Sequence, residues 1–111
     1  MISIDIDTGE RTELKISRAT GKYRYNVKIS SVEETIEFLT VEAELESLLA
    51  WIQNPDNAIH CLARINLEHG IWFQLLFDHV KVSTYDNEIE MFLTHIDYGQ
   101  FKLELYKLLN A

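Results

Sequence analysis

The chain has 111 residues, 47% of them hydrophobic, a single cysteine and a formal net charge of −8 at pH 7. That is one domain with enough apolar material to build a core without a structural metal, and a lone cysteine excludes an internal disulfide. The acidic balance argues against binding nucleic acid by overall charge; with no basic leader ahead of an apolar block, and no run long enough to span a bilayer, a cytosolic location is expected.

In chain order, Ile2, Ile4 and Ile6 alternate with Ser3, Asp5 and Asp7, the period of a half-buried strand, and Thr8-Gly9 supplies a turn. Leu14 and Ile16 alternate with Glu13 and Lys15 in a second strand. After Thr20-Gly21-Lys22, Tyr23, Tyr25, Val27 and Ile29 face one way in a third strand, while Arg24, Asn26, Lys28 and Ser30 face the other. Short turns make these an antiparallel meander. A fourth strand is predicted over about Glu34 to Leu39, running directly into a helix.

That helix, Thr40 to Gln53, carries Val41, Leu45, Leu48, Leu49 and Ile52 at helical spacing. Thr40 is its predicted N-cap, Glu42 and Glu44 suit the positive end of its dipole, and Asn54-Pro55 stops it. Ile59, Cys61, Ala63, Ile65 and Leu67 then alternate with polar residues, and His69-Gly70 makes a turn. Cys61 is read as a small buried hydrophobe. Ile71 to Phe77 is apolar on both faces, which predicts a central strand covered on both sides. Val80 to Tyr85, the turn Asp86-Asn87 and Glu88 to Leu93 add two more strands. Asp97 to Leu109 closes the chain as a helix with Tyr98, Phe101, Leu105, Leu108 and Leu109 in its stripe and Asp97 with Gln100 as a capping box.

Both halves, about residues 1–54 and 58–110, thus read as four strands followed by a helix. Ile36-Glu37-Phe38-Leu39-Thr40 before the first helix has a likeness in Ile89-Glu90-Met91-Phe92-Leu93-Thr94 before the second. The expected fold is α+β, ββββα-ββββα in a single domain spanning 1–111, with two antiparallel sheets related by a pseudo-twofold.

That order of elements resembles the Whirly family of single-stranded nucleic-acid-binding proteins, although the family's Lys-Gly-Lys-Ala-Ala-Leu motif is absent. It also resembles small acidic immunity proteins of bacterial contact-dependent inhibition systems, in size, acidity and lack of a catalytic motif. The second resemblance implies a protein partner, a toxin nuclease domain, and no cofactor.

The charge layout fits this. Lys15, Arg18, Lys22, Arg24 and Lys28 crowd the first strands, and no Lys or Arg occurs between Ile29 and Ala63. That gap holds Glu33, Glu34, Glu37, Glu42, Glu44, Glu46 and Asp56. Such a run is either a solvated face or a docking surface for a basic partner. Glu33, Glu34, Glu37, Glu42, Glu44 and Glu46 are the expected partner-binding residues, with Trp51 as a rim anchor beside Glu44.

His60, His69, His79 and His95 form no zinc spacing. There is no Gly-rich phosphate loop and no nucleophile elbow, so the expectation is a non-enzyme without a metal. The leading reading is an inhibitor whose acidic surface occludes a basic toxin domain. The runner-up is a single-stranded nucleic-acid binder using Lys15, Arg24 and Lys28 with Arg18, Lys22 and nearby tyrosines.

Overall fold

In the N-terminal half, alternation of apolar and polar residues becomes a four-stranded antiparallel sheet: β1 (Ile2–Asp7), β2 (Arg11–Arg18), β3 (Arg24–Ser30) and β4 (Thr35–Val41), in that spatial order. The computed structural model describes residues 2–7, 11–21, 24–30, 35–62, 71–76, 79–85 and 90–110. Register places Leu14, Ile29 and Ile36 in one cross-strand row and Ile16, Val27 and Phe38 in the next, and all six are buried. Residues opposite one another on a buried face pack as pairs, so each row adds to the core as a unit. Gly21, at φ 109°, takes the left-handed conformation that the turn after β2 requires and that a side chain would strain.

Helix α1 (Glu42–Gln53) follows β4 without a loop. A second antiparallel sheet comprises β5 (Ile59–Leu62), β6 (Ile71–Leu76), β7 (His79–Tyr85) and β8 (Glu90–Asp97), and α2 (Tyr98–Leu109) follows β8 directly. The chain is therefore α+β with two antiparallel sheets and two helices. Strand β1 lies against β8; α1 packs on β4 and β5, α2 on β1 and β8, and the helices on each other. The core between them gathers Leu45, Leu48, Trp51 and Ile52 from α1, Phe101, Leu105 and Leu108 from α2, and the inner faces of both sheets. Phe73 of β6 stacks on Phe101 with ring centres 5.6 Å apart, and both rings are fully buried. Burying each such ring contributes roughly 1.5–3 kcal/mol.

Three expectations need correcting. Thr40 does not cap α1. It is buried in β4, paired with Tyr25, and strand pairing continues through Val41 opposite Arg24, so the N-cap position falls on Val41, which has no side chain able to cap. Val41 accordingly belongs to the strand and not to the helical stripe. Strand β6 is internal to its sheet but covered on one face only: Ile71 and Phe73 are buried, whereas Trp72 is 43% exposed. The helices lie on the inner side and nothing described covers the other, so an apolar sequence on both faces did not mean burial on both. Strand β8 also runs on to Asp97, past Leu93, with a register irregularity opposite Val80 and Val82. The turns at Thr8-Gly9 and Asp86-Asn87, and the continuation of β5 through Ala63 to Leu67, lie outside the described residues.

Of the capping box expected at α2, the N-cap half agrees with the structure. Asp97 is the N-cap of α2, and its carboxylate accepts from the Gln100 backbone N–H at 2.8 Å. Tyr98 donates its hydroxyl to the backbone carbonyl of Ile52, one of the carbonyls in the last turn of α1 that lack a helical partner, and so ties the start of α2 to the end of α1.

Candidate functional site

The acidic residues singled out in the sequence fall on three surfaces. Glu37 is exposed on the outer face of the first sheet, directly opposite Lys28, which is itself opposite Lys15. The acidic and basic clusters, separated along the chain, therefore interleave there, and opposite charges facing each other across strands are mutually stabilising. Glu42 and Glu46 lie one turn apart on one flank of α1, Glu42 half-buried and Glu46 exposed. Glu44 is two residues on from Glu42, about 200° round the helix, and so occupies the opposite flank with Trp51. Glu33 and Glu34 lie outside the described residues.

Trp51 is not a rim anchor. Only 7% of it is exposed, its ring lies 5.5 Å from that of His60 on β5, and Nε1 donates to the Asn57 backbone oxygen at 2.6 Å. The segment after α1 turns back over the indole and satisfies its one polar atom, which lets a large ring settle into the core edge. Burial pushes the His60 pKa down while Glu44 opposes that shift, and burial, with Glu44 adding to it, pushes the Cys61 thiol up. Cys61 is half-buried and free, and a raised pKa leaves it a poor nucleophile at neutral pH. Among the described residues no group of three His, Cys, Asp or Glu side chains is placed to hold a metal ion.

The flank that carries Glu42 and Glu46 continues to Gln53, about three and two helical turns further on respectively. There it opens into a shallow depression of about 290 Å³ lined by Gln53 with Gly99, Lys102, Leu103 and Tyr106 of α2. Leu103 is 52% and Tyr106 50% exposed, both held on a regular helix whose opposite side is anchored in the core by Phe101, Leu105 and Leu108. Helix α1 has no Lys or Arg, whereas α2 has Lys102, facing the depression, and Lys107, which lies 3.8 Å from Glu104. A carboxylate flank thus leads to two exposed side chains with large apolar surfaces, Leu103 and Tyr106, beside the ammonium of Lys102.

Leu103, Tyr106 and Gln53 were not among the sequence candidates. Their signal is a remainder: once Tyr98, Phe101, Leu105, Leu108 and Leu109 are assigned to the buried stripe of α2, Leu103 and Tyr106 are apolar residues left on the other side at helical spacing. Arg18 lies 6.0 Å from the centre of the Tyr25 ring, a cation–π distance.

No helix of the described residues is long and apolar enough to cross a membrane. No protein-family model matches the chain, nor does any curated protein or solved structure.

Proposed function

We propose that the chain is a toxin-neutralising inhibitor, an immunity protein that binds a basic nuclease domain through the acidic flank of α1 and the depression beside it. The observation that carries this reading is the continuity of Glu42, Glu46 and Gln53 with exposed Leu103 and Tyr106. Nucleases hold phosphate with Lys and Arg, so carboxylates can occupy the same groove and draw it in over distance, helped by the net charge of −8. Leu103 and Tyr106 supply the apolar anchors that give such a complex lifetime, because a few buried side chains carry most interface energy. Inhibition here is occlusion, and no bond is made or broken. We also read the two halves as a pseudo-twofold ββββα repeat, supported by each helix packing on its own last strand and on the first strand of the other half. The inhibitor is assigned to the cytoplasm.

The test is recovery of partners from the native host with tagged protein at low and high salt. A stoichiometric basic nuclease-like domain, bound less at high salt, supports the reading. Reversing Glu42 and Glu46 to Lys should then weaken that complex by at least about tenfold, mostly through slower association, and Tyr106→Ala should weaken it through faster dissociation. The alternative, a Whirly-like single-stranded nucleic-acid binder, draws on Lys15 and Lys28 standing opposite each other on the first sheet. Nucleic acid recovered without a protein partner, and lost on charge reversal at Lys15, Arg24 and Lys28, would replace the inhibitor reading with that one.

A further inference from the structure

The exposed sides of α1 and α2 are built from opposite materials. Both helices have 12 residues and each follows its last strand directly, so their positions correspond one to one. Where α1 has Glu46, Ser47 and Ala50, α2 has Lys102, Leu103 and Tyr106. Charge reverses at the first of these positions, and apolar bulk rises at the other two. The helices pack on each other, so the furrow between them has one low, acidic wall and one apolar wall, with the depression at Gln53 between the two. Each wall is a helix whose main-chain N–H and C=O groups are bonded within it. An extended segment laid here would strip water from its own main chain and find no partners in return, whereas a helix arrives with its main chain satisfied. Ser47 and Ala50 are exposed and small, which lets another helix approach to roughly 8–10 Å between axes.

Charge selects the side chains of that helix. Glu42 and Glu46 stand about 6 Å apart along α1, which has neither Lys nor Arg, and Gln53 lies roughly 10 Å beyond Glu46. A cation therefore fits over the first half of α1. At the depression Lys102 repels it, and the space beside Leu103 and Tyr106 takes an uncharged apolar group. We propose that the furrow receives an amphipathic helix of the partner, with Lys or Arg one turn apart over Glu42 and Glu46 and a Leu-sized or Phe-sized side chain two turns further on in the depression. On a helix those positions, i, i+4 and i+11, share one face, because 11 residues make about three turns. The inference rests on the inhibitor reading for its choice of face, and adds the element of the partner that is recognised.

The experiment titrates the full chain with a synthetic peptide of Ala, Gln, Lys and Leu, about 18 residues long so that it forms a helix, with Lys at i and i+4 and Leu at i+11 and i+15. A second peptide of the same composition scatters Lys and Leu around the helix. Affinity is read by fluorescence anisotropy of the labelled peptide, and the contact surface by amide NMR shifts of the chain. The patterned peptide should shift amides along α1 and the first half of α2, and the scattered one should bind about tenfold more weakly or less. Glu42→Lys with Glu46→Lys should weaken the patterned peptide by about tenfold or more, and Leu103→Ser by about fivefold. Leu103 and Glu46 are exposed, and circular dichroism checks that both variants are folded. Shifts confined to the sheets, equal affinity for the two peptides, or affinity unchanged in both variants overturns the proposal. The peptide contains no nuclease, so the two readings fail separately. A nuclease domain captured through Glu42 and Glu46 without binding of the patterned peptide sinks this inference alone, and peptide binding with no nuclease in the host sinks only the inhibitor.

Discussion

His60 shows how one side chain couples the core to pH. Opposite Phe73 on the inner side of β5, it packs on Trp51, and its Nε2 is buried with no hydrogen-bond partner among the described residues. Burial disfavours the imidazolium, so the folded-state pKa lies below the ordinary 6.5, and the unfolded chain takes up its proton first as pH falls. The contribution to stability is therefore complete above the ordinary value and is lost as pH drops through it towards the folded pKa. In urea unfolding at about pH 8 and about pH 5, wild type should lose stability relative to His60→Phe at the lower pH. Equal responses of the two proteins would refute the coupling. Glu44→Gln removes the carboxylate that favours the charged ring and should lower the His60 pKa further, read by NMR titration. The sequence shows His60 in an alternating strand but not its neighbour Trp51, because the indole reaches it only after the segment around Asn57 folds back.

At the scale of elements, the two helices begin in different ways. Helix α2 has an Asp97 cap, whereas α1 starts straight from a strand with no side-chain cap and with Glu42 and Glu44 in its first turn. Asp97→Ala should lower stability by about 1 kcal/mol. Tyr98→Phe should cost about as much, through the carbonyl of Ile52 left without its donor. Urea midpoints measure both, and a Tyr98→Phe variant as stable as wild type would show that water replaces the hydroxyl. Element types were readable from periodicity: Leu14 and Ile16, Tyr25, Val27 and Ile29, and the stripe of α2 are all buried as their spacing predicts. Boundaries were less readable at the junctions, where Thr40 can cap a helix or pair in a strand, and cross-strand pairing with Tyr25 prevails.

Across the whole molecule, charge is the dominant uncompensated quantity. A net charge of −8 destabilises the compact state by self-repulsion, which dissolved salt screens. The melting temperature of the free chain should therefore rise by a few degrees between low and moderate sodium chloride. A fall would mean that attractive pairs such as Glu37 with Lys28, brought opposite each other by the first sheet, outweigh the repulsion.

The α+β class, two antiparallel sheets and both amphipathic helices follow from the sequence alone, because alternation and helical periodicity are local properties of a chain that must bury its apolar side chains. The candidate site does not follow from it. Whether Trp51 or Trp72 meets water, and that Gln53 meets Leu103 and Tyr106, are decided by contacts between residues distant in sequence. Periodicity says which residues share a face; only tertiary packing decides which face is covered, and by what.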